Sequence, residues 1–138
     1  MKKFGTSNEI LLYVYNKFVR SNLEYAVPAW NPGLTKQNSI DIERVQKCAM
    51  SIISGGKPYR NTLKKTKVKT LEARRKEICS KFATKARKNI KFQNWFKQND
   101  TPTRILRRPR LKYKHVNCRT KRYERSPIPY MTKLLNTE

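Results

Sequence analysis

Apolar side chains in the N-terminal part of the chain recur with a helical period. Leu11, Val14, Tyr15, Phe18 and Val19 fall on one side of a helix, with Asn16, Lys17 and Arg20 on the other, the spacing of an amphipathic helix with about 3.6 residues per turn. Thr6-Ser7-Asn8-Glu9 precedes this run. It has the form of a capping box, in which a hydroxyl and a carboxylate three residues later satisfy each other's backbone donors. The helix is predicted to continue to Tyr25, with Leu23 and Tyr25 keeping its end partly buried. Pro28 removes a backbone donor and disfavours helix at Val27, and Asn31-Pro32-Gly33 is a turn signal. Trp30, between these breakers, is expected to plug the corner.

A second helix is predicted from after Thr35 to about Ser54, with Ile42, Val45, Ala49 and Ile52 or Ile53 on one stripe and Gly55-Gly56 as its stop. Two such helices joined by a Pro-Gly corner form a helical hairpin, which is marginal alone and needs a third partner. Thr70 to about Lys88 supplies one: Leu71, Arg74, Ile78, Phe82 and Ala86 alternate there with a nearly continuous basic face. Between them, Asn61 to Val68 is read as one short helical turn carrying Leu63 and Val68. Phe92, Trp95 and Phe96 form an aromatic cluster that is expected to close the folded part. Beyond Asp100 the chain carries Pro102, Pro109, Pro127 and Pro129, 11 basic groups and few apolar residues, the composition of an extended arm without a core. A last apolar patch, Ile128, Tyr130, Met131, Leu134 and Leu135, is a candidate to dock back. The expected architecture is all-α: a small helical bundle over residues 1–100, made of a helical hairpin and a long basic helix, then an extended, partly disordered basic arm over 101–138.

Charge changes this picture more than length does. The 138 residues hold 33 Lys and Arg against 9 Asp and Glu, a net charge of +24. Residues 1–56 contribute only +3 of it, whereas residues 57–138 hold 26 basic and 5 acidic side chains, a net of +21. Such a segment repels itself unless a polyanion screens it, and nucleic acid is the natural partner ahead of an anionic membrane. Cys48, Cys79 and Cys118 are odd in number and widely spaced, which fits a reduced intracellular setting, nucleus or cytoplasm, rather than a disulfide framework. There is no signal-peptide pattern, and the apolar runs fall far short of the roughly 18 residues of a membrane span. No membrane partner is expected.

Catalytic chemistry finds little to work with. Polymerases and nucleases bring two or three carboxylates to divalent metals. Asp41 and Glu43, two positions apart on a helix, point roughly 160–200° away from each other. Glu72 and Glu77 sit among Arg74, Arg75 and Lys76 as local charge partners. His115 and Cys118 offer two zinc ligands where a structural site needs four. No catalytic residue, metal, cofactor or small-molecule substrate is therefore expected. The basic faces carry the more specific signal. Arg74, Arg75, Lys81, Lys85, Lys88 and Lys91 spread over one helix, with Lys64, Lys65, Lys67 and Lys69 just before it, so a phosphate backbone has cations to track along. In the arm, Tyr113, Tyr123 and Tyr130 interleave with Arg119, Lys121, Arg122 and other cations, a pattern in which aromatics stack on unpaired bases while cations hold phosphates.

Several strings together resemble a known family. Phe18-Val19-Arg20-Ser21-Asn22-Leu23-Glu24-Tyr25-Ala26-Val27-Pro28-Ala29-Trp30-Asn31-Pro32-Gly33-Leu34-Thr35, followed by Ile42-Glu43-Arg44-Val45-Gln46-Lys47, resembles the region just downstream of the palm in reverse transcriptases of non-LTR (LINE-like) retrotransposons. Thr70-Leu71-Glu72-Ala73-Arg74-Arg75 is similar to a later Leu-x-x-Arg-Arg element of those proteins. Cys79 to Phe96 and Cys118 to Leu135 are similar to their C-terminal ends, so the likeness covers almost the whole chain.

The resemblance implies a thumb-like helical bundle and C-terminal segment that, in the family, follow the palm and help hold an RNA template paired with a growing DNA primer. The fingers and the palm with its paired metal-binding aspartates are absent, and no Asp-Asp pair occurs in the chain. The expectation is thus a nucleic-acid-binding, catalytically incomplete polymerase fragment, with RNA or an RNA-DNA hybrid as partner and the missing polymerase domains as a second one. Lys64, Lys65, Arg74, Arg75, Lys81, Lys85 and Lys88 would meet phosphates, and Arg119, Lys121, Arg122 and Tyr123 single strands, with Tyr25 and Trp30 as packing residues. The competing readings are an autonomous RNA-binding or architectural protein, and a protein-interaction scaffold whose Leu11, Phe18, Ile42 and Val45 are exposed.

Overall fold

A computed structural model describes residues 5–99 and 111–137. The change of composition at residue 100 falls outside that set. The described chain is mostly helical, as the pattern predicts: α1 (Asn8–Val14), a π-helical turn (Tyr15–Arg20), α2 (Ser21–Glu24), α3 (Val27–Trp30), α4 (Lys36–Ser54), α5 (Tyr59–Thr66), α6 (Leu71–Lys88), α7 (Lys121–Glu124) and α8 (Pro127–Leu135). A single antiparallel bridge, Gln98 with Tyr113, is the one strand-like pairing among the described residues. Among them, no helix is long and apolar enough to cross a membrane. The chain divides into two compact units, Met1–Val27 with Leu34–Lys76, and Pro28–Gly33 with Glu77–Glu138.

In the first unit, Leu11 and Tyr15 pack on Met50 and Ile53 of α4 and on Val68, with Leu12, Val19, Ala49, Tyr59 and Leu63 around them. Ser7, not Thr6, caps α1, accepting from the Ile10 amide. The turn over Tyr15–Arg20 is wider than an α turn, and its loosened carbonyls at Lys17 and Phe18 accept from the Ser21 hydroxyl. Widening shifts the helical phase. Phe18 is consequently 66% exposed, although a strict 3.6-residue period puts it inside. Leu11 is buried, so it is no part of an exposed interface. Helix α4 starts and stops where expected, with Thr35 accepting from the Asn38 amide and Gly55 closing the end at φ +72°. Its buried stripe is Gln46, Met50 and Ile53, rotated from the expected one, and Val45 and Ile52 are exposed.

The corner also differs from expectation. Tyr25 is 80% exposed, and Val27 is the side chain sealed inside, with Trp30 only partly covered. Helix α3 begins at Val27 because Pro28 falls in its first turn, where no backbone donor is needed. The direction change is made by Ala26, which adopts a left-handed φ of +48°.

The second unit corrects the picture of an arm without a core. Ala83 and Ala86 of α6 pack with Phe96, Tyr113, Met131 and Leu135, so the apolar patch at the end of the chain docks and residues 111–137 are part of a packed body. Phe92, Trp95 and Phe96 do cluster, with ring centroids 4.6 Å and 6.5 Å apart along the series. Phe96 is buried and Trp95 exposed, and the packed body continues past them instead of closing there. Pro127 opens α8 after Ser126, a position that proline suits.

Candidate nucleic-acid interface

A hydrogen-bonded chain of polar side chains runs through the first unit and fixes its helices. The Tyr15 hydroxyl donates to Gln46 Oε1 (2.8 Å); Gln46 Nε2 donates to the Tyr59 hydroxyl (2.9 Å) and to the Lys69 carbonyl (3.1 Å). The Tyr59 hydroxyl donates to Glu43 Oε1, and Glu43 Oε2 accepts from the Leu71 amide at 3.0 Å. Glu43 thereby satisfies an orphan donor at the first residue of α6, supplementing Thr70, whose hydroxyl accepts from the Ala73 amide. Burial pushes the Tyr15 hydroxyl up to about 12. Burial and the neighbouring Glu43 carboxylate raise Tyr59 further in the same direction.

Two arginines assigned to phosphate contact are held by this frame. Arg75 is 2% exposed and donates to Ser39 Oγ at 2.7 Å. Its guanidinium is an internal strut, and the structure removes it from the set of contact residues. Arg74 is half-buried, with its Nε 3.3 Å from Glu24, which also pairs with Arg20 at 2.6 Å. The strings that carry the resemblance therefore interlock: Glu24 with Arg74 and Glu43 with the Leu71 backbone. Lys64 and Lys65 are exposed on α5.

Lys81, Lys85 and Lys88 stand on α6 within the second unit, all exposed. At about 100° per residue they occupy a sector of roughly 60°, rising about 6 Å and then 4.5 Å along the axis. Cys79, Ala83 and Ala86 are buried on the opposite side of the same helix, which fixes the direction of the row. Lys81 pairs with Glu77 at 2.7 Å; Lys85 and Lys88 form no ion pair with a described residue. Arg119, Lys121, Arg122 and Tyr123 are exposed in and before α7, whose first turn is capped by Thr120. Nearby, Lys133 bonds Glu124 at 2.6 Å, and that bond lowers the Glu124 carboxyl from its ordinary value.

Tyr113 is not available for stacking on bases. It is 1% exposed; its hydroxyl accepts from Arg87 (2.8 Å), its amide donates to Asn136 Oδ1 (2.9 Å), and its carbonyl accepts from Asn136 Nδ2 (3.2 Å). Tyr123 is the exposed aromatic of the interleaved series, and Tyr130 is partly covered. Sequence reasoning missed the pairing of residues 97–99 with 112–114, in which the Lys114 amide donates to the Lys97 carbonyl (2.8 Å) and the Asn99 amide to the Lys112 carbonyl (3.1 Å). This sets exposed Lys97, Lys112 and Lys114 around the buried Tyr113. The Lys-Tyr-Lys alternation over residues 112–114 was the available signal. Among the described residues, no group of three or more His, Cys, Asp or Glu side chains could hold a metal ion. The chain matches no protein-family model, no curated protein and no solved structure.

Proposed function

We propose that this chain is a nucleic-acid-binding segment of a non-LTR retrotransposon reverse transcriptase, with thumb-like contacts to an RNA template paired with a DNA primer and without the catalytic palm. The observation that carries the reading is the uncompensated cationic surface of the second unit. Lys85, Lys88, Arg119, Lys121 and Arg122 are exposed and form no ion pair with a described residue, and Lys81 has one carboxylate partner. Ordinary surfaces intersperse both signs. The interlocking of Glu24 with Arg74 and of Glu43 with the Leu71 backbone supports the same reading, since it gives the strings that carry the resemblance a folding role and leaves binding to the exposed rows. Catalysis would belong to a polymerase palm, whose paired aspartates these 138 residues do not contain, and a palm would be a second partner.

The test is fluorescence anisotropy of the full chain with a labelled RNA-DNA hybrid over a salt series. Six phosphate contacts predict an affinity loss on the order of a thousandfold between about 50 and 200 mM salt. Changing Lys81, Lys85, Lys88, Arg119, Lys121 and Arg122 to Gln should flatten that slope with little change in melting temperature. Binding that is weak at low salt, or a slope indifferent to these substitutions, would sink the proposal.

A further inference from the structure

A cleft of about 700 Å³ opens in the first unit between the start of α1, the end of α4 and α5, a volume inside the roughly 300–1,000 Å³ of small-ligand sites. One side is cationic, with Lys57, Lys65 and Lys67; none of the three forms an ion pair with another described residue. Leu12 and the buried Ile53 supply the apolar part of the lining. Glu9, at the α1 end, is the single carboxylate in the lining.

Two features set this cleft apart from lysines scattered on a surface. Ser54 lies in its lining, and the Ser54 Oγ behind that surface is shielded from solvent and makes no hydrogen bond, a costly state for a hydroxyl. Lys67 adopts a left-handed φ of +55° at the end of α5, the role that Gly55 plays at the end of α4. The Val68 amide bonds the Leu63 carbonyl and the Lys67 amide the Lys64 carbonyl, the pairing in which glycine is preferred. A lysine stands there at a conformational cost, and its side chain borders the cleft.

We infer that the cleft takes one unpaired nucleotide of a bound strand. Lys57, Lys65 and Lys67 hold the phosphate, and Leu12 and Ile53 carry the face of the base. Glu9 repels phosphate from the α1 end and so sets which way the nucleotide lies. The inference rests on the nucleic-acid reading above and goes beyond it by requiring a base outside the duplex: lysines alone serve a paired backbone equally well, whereas an apolar wall has no contact to make with a base that is already stacked and paired.

The test compares a blunt RNA-DNA hybrid with the same hybrid bearing a short single-stranded overhang, each binding the full chain. The overhang should bind about tenfold tighter, the worth of roughly one charge-assisted contact. Changing Lys57→Gln together with Lys67→Gly should abolish that preference, lowering overhang affinity about tenfold more than blunt-hybrid affinity. Because Lys67→Gly relaxes the backbone, a drop in melting temperature is not expected. Equal binding of the two probes, a preference that survives the double variant, or an equal loss for both probes overturns the cleft assignment and leaves the nucleic-acid reading standing. Failure of both probes to bind the unaltered chain overturns both readings. Competition by adenosine monophosphate as effective as that of the overhang strand would make this a free-nucleotide site and overturn the strand assignment.

Discussion

The two units treat their arginines differently, while both leave their lysines outside. The first draws two of its arginines inward: Arg75 lies against Ser39, Arg74 against Glu24, and a chain of neutral and acidic groups from Tyr15 through Gln46 and Tyr59 to Glu43 ties the helix ends together. The second keeps its core almost free of charge, building it from Ala83, Ala86, Phe96, Met131 and Leu135 around a clamped Tyr113, and leaves its lysines outside. A guanidinium with a matching hydroxyl or carboxylate can be buried; an ammonium without one stays in water. A row of basic letters therefore says little about binding until the internal ones have been subtracted.

The sharpest test of the contrast is Tyr113→Ala. It removes a buried aromatic and the hydroxyl that Arg87 bonds, and should cost about 4 kcal/mol. Hydrogen exchange should show lost protection over residues 111–137, with the amides of α4 retained; uniform loss would mean that the two units are not separate in stability. Next comes Gln46→Ala, which strands the Tyr15 hydroxyl, one Tyr59 bond and the Lys69 carbonyl at a cost of about 3 kcal/mol. Denaturant melts should place the damage in the first unit, and an effect under about 1 kcal/mol would show that water replaces the amide without loss.

Alkaline pH probes the same frame more gently. The Tyr15 hydroxyl is raised above its unfolded value of about 10, so its neutral form is favoured by folding. That contribution is complete below about pH 10 and is lost as pH rises through about 12. Helicity should fall in that window, and Tyr15→Phe should remove this part of the fall; an unchanged alkaline transition in the variant would contradict the assignment. The smallest effect on stability belongs to Lys81→Gln, within about 0.5 kcal/mol because its pair with Glu77 is exposed. The same substitution should lower the salt slope of hybrid binding by about one contact.

Helix boundaries were legible because they rest on local chemistry: Thr35 and Gly55 bracket α4, and Thr70 opens α6. What faces inward was less so. The π turn over Tyr15–Arg20 changes the phase within one helix, which sends Phe18 out. Gln46 displaces Val45 from the core because three partners await its amide, a tertiary fact with no local trace. The same holds for Arg75, which reads as one more basic residue until Ser39 is placed beside it. Tyr113 and Asn136 are 23 positions apart, so nothing in the composition of that segment announces their clamp. The exposed rows at Lys81, Lys85 and Lys88 and at Arg119, Lys121 and Arg122 were readable because their spacing alone puts them on the surface of a basic helix or loop.

The start of α6 is gripped at three successive points: Glu43 holds the Leu71 amide, Glu24 the Arg74 side chain and Ser39 the Arg75 side chain. An extra residue between Leu71 and Arg74 would turn both arginines by about 100° and detach them together, whereas replacing Glu72 or Ala73, which are exposed, touches none of the three grips. This stretch behaves as a ruler: tolerant of spelling, intolerant of length. An insertion scan through residues 68–78 should find its steepest loss of helicity inside that interval.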